Sequence, residues 1–534
     1  MSRFRRYFFY PRDGSKTLRA GVRWSRVCLV CATGIAMAFL LTGGAVAAYL
    51  RSARHLDVSY ADVLAPWRWH HLRVVRGKQL IAEGFSLARA GRHREAVMHL
   101  RAGLAQVPAH RAGRLLQARL HAEARRNDEA RQVLLDGIPL HAADARYLFA
   151  VFDFLLRNQE DDRIILLAQK LRPNLPGESE AAAVVGMAGA TASFLRGNYD
   201  QADDFLDASP PIARSRDGRL LRTRVEWERG YRDLALLTLR MLQEERPADA
   251  EVQHELIHRL RESGAADEAR RQSVAFQIAH PQAIGARIEL LRAYSDNGDT
   301  AWFERETDAA LRDFATDDAA LLALGDYFAT TGRVSLVGRV AKLGRERGPV
   351  LAYAFLGIEA QIVSRDYRGA IESIRAVLNE HQREAQPHRA LLDSLQAVAY
   401  LALGERETSR TFLNHFLLQP GLRADNLLAL ANRFVALEAP DQARRILTRA
   451  AEVDPRNQAA VTRLVELDLN LNRIDELSGH LRLLLALRKP SPDVLRVARH
   501  KLGSDLFLFS SDRPAVLAAV SAALEQHRSR TTGR

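Results

Sequence analysis

Residues 427–455 read LLALANRFVALEAPDQARRILTRAAEVDP, a stretch that carries two helical patterns and one break. Leu427, Leu430, Ala431 and Phe434 are spaced by three and four, so a helix places them on one face. Ala443, Leu447 and Ala450 repeat that spacing after the break at Ala439-Pro440. Small residues at 431 and 443 let the two helices approach closely, and large ones fill the seams to neighbours. Pro455 ends the second helix, because proline lacks the donor a helix interior needs. The stretch therefore predicts a pair of packed helices, A and B.

The same unit recurs on both sides. Short turns open the second helix at GRHREAV, RNDEAR, GNYDQAD, GYRDLAL, GAADEAR, GDTAWFE, GRVSLVG, RDYRGAI, GERETSR and NRIDELS. The small or apolar residue just after each turn forms the series Ala96, Ala130, Ile165, Ala202, Ala235, Ala269, Phe303, Val337, Ala370, Ser409, Ala443 and Leu477. Its steps are 34, 35, 37, 33, 34, 34, 34, 33, 39, 34 and 34. A chain with a period near 34 stacks helix pairs instead of building one globular core.

The pattern resembles the tetratricopeptide repeat (TPR). In the first copy Leu80, Gly84, Leu87, Ala96, Leu100, Gly103 and Pro108 fall on the family's signature positions; in the eighth Leu321, Leu324, Gly325, Phe328, Val337, Gly344 and Pro349 do. The third copy departs, with Asn158-Gln159-Glu160 in its turn and an early Pro173, and the step of 39 implies an insertion near 380–387. The expected fold is all-α: a right-handed α-solenoid of about twelve TPR-like helix pairs over residues 77–490, preceded by one transmembrane helix. Residues 491–534 read as a C-terminal cap. Pro492 and Pro514 suit helix starts, and Leu506-Phe507-Leu508-Phe509 is expected to plug the last open seam.

Residues 27–50 hold no charge over a length that crosses a hydrocarbon core of about 30 Å. Trp24 and Tyr49 sit at its ends, where amphipathic rings favour the interface. Residues 1–26 form a basic leader with eight Lys/Arg against Asp13 alone, so the positive-inside rule places the N-terminus in the cytoplasm and the repeats across the membrane. Residues 51–76 read as a juxtamembrane linker, whose Trp67-Arg68-Trp69-His70-His71 cluster suits either the headgroup layer or the underside of the first repeat. Ala45-Val46-Ala47 has the form of a signal-peptide cleavage site, while the long leader and long apolar run favour an uncleaved anchor. The net charge of +13 raises the question of nucleic acid. Eleven of those charges lie in residues 1–78, around the apolar run, so the repeat region is nearly neutral and no nucleic-acid partner is expected. Cys28 and Cys31 are the only cysteines, which excludes a disulfide framework.

One string has a catalytic form. His254-Glu255-Leu256-Ile257-His258 matches H-E-x-x-H, which on a helix sets two imidazoles one turn apart with a glutamate as base. It lies in phase within an A helix, with Leu256 and Leu260 at seam positions and no third ligand at hand. Zinc peptidase chemistry is therefore the lesser reading, and no catalytic residue, metal or other cofactor is expected. His70-His71 and His93/His99 read as surface histidines. No phosphate-binding loop or nucleophile elbow occurs. The TPR resemblance implies that the A helices line a concave groove that takes other proteins or peptide segments. By register the groove residues are Lys78, Ile81, Phe85, His254, His258, Leu322, Asp326, Leu428 and Asn432. The Lys/Asn/Arg set with which some family members grip a C-terminal carboxylate is not assembled here. The function expected is a membrane-anchored interaction scaffold in a bacterial envelope assembly, secretion or polysaccharide-export complex. A cytoplasm-facing membrane adaptor is the alternative.

Overall fold

The computed structural model describes residues 9–11, 20–22, 24–52, 59–65, 68–344, 350–488, 490–504 and 511–532. Trp67 and the 506–509 plug expected from the sequence lie outside them. Twelve helix pairs follow one another, from Trp69–Arg89 with His93–Gln106 to Gln458–Leu471 with Ile474–Ala486. Helices Pro492–Leu502 and Arg513–Thr532 follow, both with proline in the first turn. The first A helix begins at Trp69, within the stretch read as linker. The only strands among the described residues are Phe9–Pro11 and Ala20–Val22, a small antiparallel hairpin in the basic leader. Two compact parts divide the chain: residues 1–158 with 170–185, and residues 159–169 with 186–534.

Each pair is joined by the same backbone device. At the end of each A helix one residue takes positive φ, at 91, 125, 159, 197, 230, 264, 298, 332, 365, 404, 438 and 472, and Gly421 adds one more ahead of repeat 11. At these joints two backbone N–H groups turn back to carbonyls that the helix end would leave unpaired. In the first repeat Gly91 N–H reaches the Ala88 carbonyl and Arg92 N–H reaches Leu87. The last repeat closes with Arg473 N–H on Asp468. Seven joints carry glycine, which enters the left-handed region without steric cost. Arg125, Gln159, Arg365, Glu438 and Asn472 occupy it at the others.

All twelve residues of the small-residue series are buried, which explains their spacing. Ser409, the one polar member, donates its hydroxyl to the Ala397 carbonyl at 2.6 Å. In the first repeat a Cβ at Gly84 would lie 2.7 Å from Leu100 Cγ, and one at Gly103 would lie 2.8 Å from the Gly77 carbonyl oxygen. These glycines are present because the helices touch through backbone. Phe328 and Phe434 are fully buried in the seams, each contributing about 1.5–3 kcal/mol.

The irregular steps have local causes. Between repeats 9 and 10 the short helix Gln382–Ala385 and a 3-10 turn at Gln386–His388 take up the extra residues. Between repeats 3 and 4 a 3-10 turn at Arg172–Asn174 does the same. At the N-terminal end, helix Trp24–Ser52 contains one stretch, Trp24–Tyr49, long and apolar enough to cross a membrane. The short helix Tyr60–Leu64 folds back on it. The Tyr60 hydroxyl donates to the Leu40 carbonyl at 2.6 Å, and Leu64 packs on Gly43.

Candidate protein-binding groove

The A helix Ala250–Glu262 carries the H-E-x-x-H string, and the structure divides its members. His254 and His258 are exposed, with Nε2 atoms 3.7 Å from Glu289 and 3.4 Å from Glu262 respectively. Glu255 is buried between Arg224 at 3.0 Å and Arg259 at 2.9 Å. Burial acts to raise its pKa, and the two guanidinium groups outweigh burial, so the carboxyl sits below its ordinary range. Both carboxylate oxygens are thus committed to arginines. Among the described residues no three His, Cys, Asp or Glu side chains gather closely enough to hold a metal ion. Cys28 and Cys31 are unpaired on the apolar helix. The string instead joins ion pairs that link successive A helices: Arg216 with Asp249, Arg224 with Glu255, and Arg261 with Glu289.

The other residues named from register separate by burial. Ile81 is 1% exposed and belongs to the first repeat's core with Ala96 and Leu100. Phe85 is half-buried against that core. Leu322 and Leu428 are half-buried, packed against the cores of their own repeats. Lys78, Asp326 and Asn432 are exposed.

Two cavities that register did not point to open on the A helices of repeats 9, 10 and 11: Val350–Val363, Arg389–Ala402 and Ala424–Ala436. One, about 420 Å³, is lined by Ile362, Val398, Ala402 and Ala436 among others. The second, about 360 Å³, is lined by Leu391, Ser394, Asn426 and Ala429 among others. Arg433 lines both, and its guanidinium is paired with Glu359. This pair bridges across the A helix of repeat 10, since Glu359 is on the A helix of repeat 9 and Arg433 on that of repeat 11. From helix Ala424–Ala436 the cavities take Asn426, Ala429, Leu430, Arg433 and Ala436, and of these Ala429 and Arg433 sit beside the register choices Leu428 and Asn432, turned from them by about 100°. The helical period marks which residues leave the core; it does not tell which of two neighbouring exposed positions lines a cavity.

Twelve pairs at a 34-residue period among the described residues, with small residues at the crossing, make this a TPR-like α-solenoid. No family model matches the chain, and no curated protein matches it either. Solved structures do. A tetratricopeptide repeat protein from Parabacteroides merdae aligns at 13% identity over 47% of this chain and 98% of its own, with a TM-score of 0.28. The Cut9–Hcn1 hetero-tetramer of APC/C aligns at 12% over 84% and 96%, with 0.28, and yeast Tom70 at 12% over 85% and 97%, with 0.32.

Proposed function

We propose that this chain is a membrane-anchored scaffold that holds other proteins on the concave face of its repeats, on the extracytoplasmic side of a bacterial inner membrane, within an envelope assembly, secretion or export complex. The observation that carries the reading is the pair of cavities on the A helices of repeats 9–11. A concave, partly apolar surface with a few placed charges suits a helix or extended segment of a partner. Exposed A-helix residues elsewhere, Lys78, His254, His258, Asp326 and Asn432, extend the candidate surface within their own repeats.

Anchoring is supported by the apolar helix and its setting. Ala47 is buried within an unbroken helix, and Tyr60 binds the helix at Leu40, so the chain on both sides of the cleavage-like Ala45-Val46-Ala47 packs together. Two measurements test the proposal. Alkaline phosphatase fused after Arg534 is expected to be active; activity only from a cytoplasmic reporter selects the cytoplasm-facing adaptor. A photo-crosslinker at Ala436 is expected to capture a defined protein in membranes, with capture lost in Leu391→Glu. Equal capture from both chains rejects the groove.

A further inference from the structure

We propose that the Glu359–Arg433 pair is an internal occupant of the groove, and that the partner is an acidic, apolar segment whose carboxylate replaces Glu359 on Arg433. This rests on the protein-binding reading above and names the partner's chemistry. Arg433 stands between the two cavities and lines both, so a segment long enough to fill both must pass over it. The pair joins repeats 9 and 11 over the intervening helix Arg389–Ala402, which contributes Ser394 to one cavity and Val398 to the other. An occupant of both cavities therefore meets this ion pair.

The surrounding charge selects the sign of the occupant. Arg365, Arg423 and Arg433 line the two cavities against Glu359 as the one acid. Arg423 is largely exposed, with only Asp425 near it at 3.6 Å. Arg365 holds a left-handed backbone, lines the larger of the two cavities and makes no ion pair among the described residues. A basic segment would have to compete with Arg433 for Glu359 while facing two further arginines. An acidic one competes with Glu359 for Arg433 and faces the other two arginines favourably, so the two further arginines decide the sign. Apolar side chains have places on either side, at Ile362, Val398 and Ala436 in one cavity and at Leu391 and Ala429 in the other. The exchange keeps Arg433 paired throughout and turns the displaced, partly exposed Glu359 carboxylate over to water.

The probe is a phage-displayed library of random linear peptides, panned against the full chain in detergent micelles. Wild-type protein is expected to select peptides with Asp or Glu beside apolar residues. Glu359→Gln, which removes the internal competitor, is expected to bind those peptides roughly tenfold tighter. Arg433→Gln, with circular dichroism unchanged, is expected to bind them roughly thirtyfold more weakly, and Glu359→Gln added to it is expected to restore nothing. Selection of basic or uncharged peptides overturns the proposal. So does binding that neither variant alters, which leaves the wider protein-binding reading standing because the peptide then sits elsewhere. Failure to select any peptide, together with no crosslinked partner at Ala436, removes both.

Discussion

Asp161 and Arg488, 327 positions apart, hold each other by two hydrogen bonds, Nε to Oδ2 at 2.8 Å and Nη2 to Oδ1 at 2.9 Å. Asp161 is almost fully buried, at the start of the second helix of repeat 3, and Arg488 follows repeat 12. Arg196 reinforces the contact by donating to the Leu487 carbonyl and pairing with Asp162 at 3.0 Å. A repeat array is stabilised mainly between neighbours; this pair adds a term that neighbour contacts lack. Arg488→Ala leaves a buried carboxylate without its partner and is expected to cost about 2 kcal/mol. It is also expected to broaden the unfolding transition, since the second helix of repeat 3 and the end of repeat 12 then melt independently. Calorimetry of the two chains decides, and superimposable melting curves would show the bridge to be idle.

The joints between helices make a second prediction. Gly264 has φ near +80°, and a Cβ there would touch nothing within 4 Å. Gly264→Ala should nonetheless destabilise by about 1–2 kcal/mol, through the backbone alone. The converse, Glu438→Gly, relieves a left-handed glutamate and should stabilise by about 1 kcal/mol. Chemical denaturation measures both, and equal midpoints for wild type and the two variants would reject the argument.

Ala443 has no exposed surface and lies where the two helices of repeat 11 cross. Ala443→Asp buries a charge with no partner and should cost more than about 4 kcal/mol. Ala443→Ser should be far milder, since the equivalent Ser409 satisfies its hydroxyl on a carbonyl across the pair. Proteolysis of membranes carrying each variant should cut the Asp chain near repeat 11 and spare the Ser chain.

Glu255 predicts a pH dependence. Its folded pKa is depressed, so its contribution to stability is complete above the ordinary carboxylate range and is lost as pH falls through the folded value. Glu255→Gln should therefore be less stable than wild type at neutral pH, with the gap closing on acidification. Zinc added to either chain should change neither melting nor peptide hydrolysis. A zinc-dependent peptidase activity abolished by Glu255→Gln would reverse this reading of the H-E-x-x-H string.

The repeat was legible because its constraints are periodic. Every residue of the Ala96-to-Leu477 series is buried, including Ile165 and Phe303, where the small-residue rule fails in size but not in phase. The two cavities on repeats 9–11 were less legible, for a geometric reason. Leu428 and Asn432 follow from the same register as Ala429 and Arg433, and one residue of offset turns a helical side chain by about 100°. Which of the two faces the cavity depends on how the A helices of repeats 9–11 lean on one another, a property of contacts across some 75 residues. The Asp161–Arg488 bridge was illegible for the same reason, since no local pattern marks either partner. The left-handed joints at Arg125, Gln159, Arg365 and Glu438 were hidden because their residues do not advertise the angle that tertiary packing imposes.

Those joints have a consequence for how the protein changes over generations. The bonds that close each A helix run from backbone to backbone, so they specify an angle and not a side chain. A joint survives replacement of glycine by arginine or glutamate at a modest stability cost, as five of the twelve already illustrate. Substitutions on the exposed A-helix face are uncoupled from the device that sets each turn. New partner preferences can therefore arise by drift at the surface, repeat by repeat, while the helix pairs beneath keep their form.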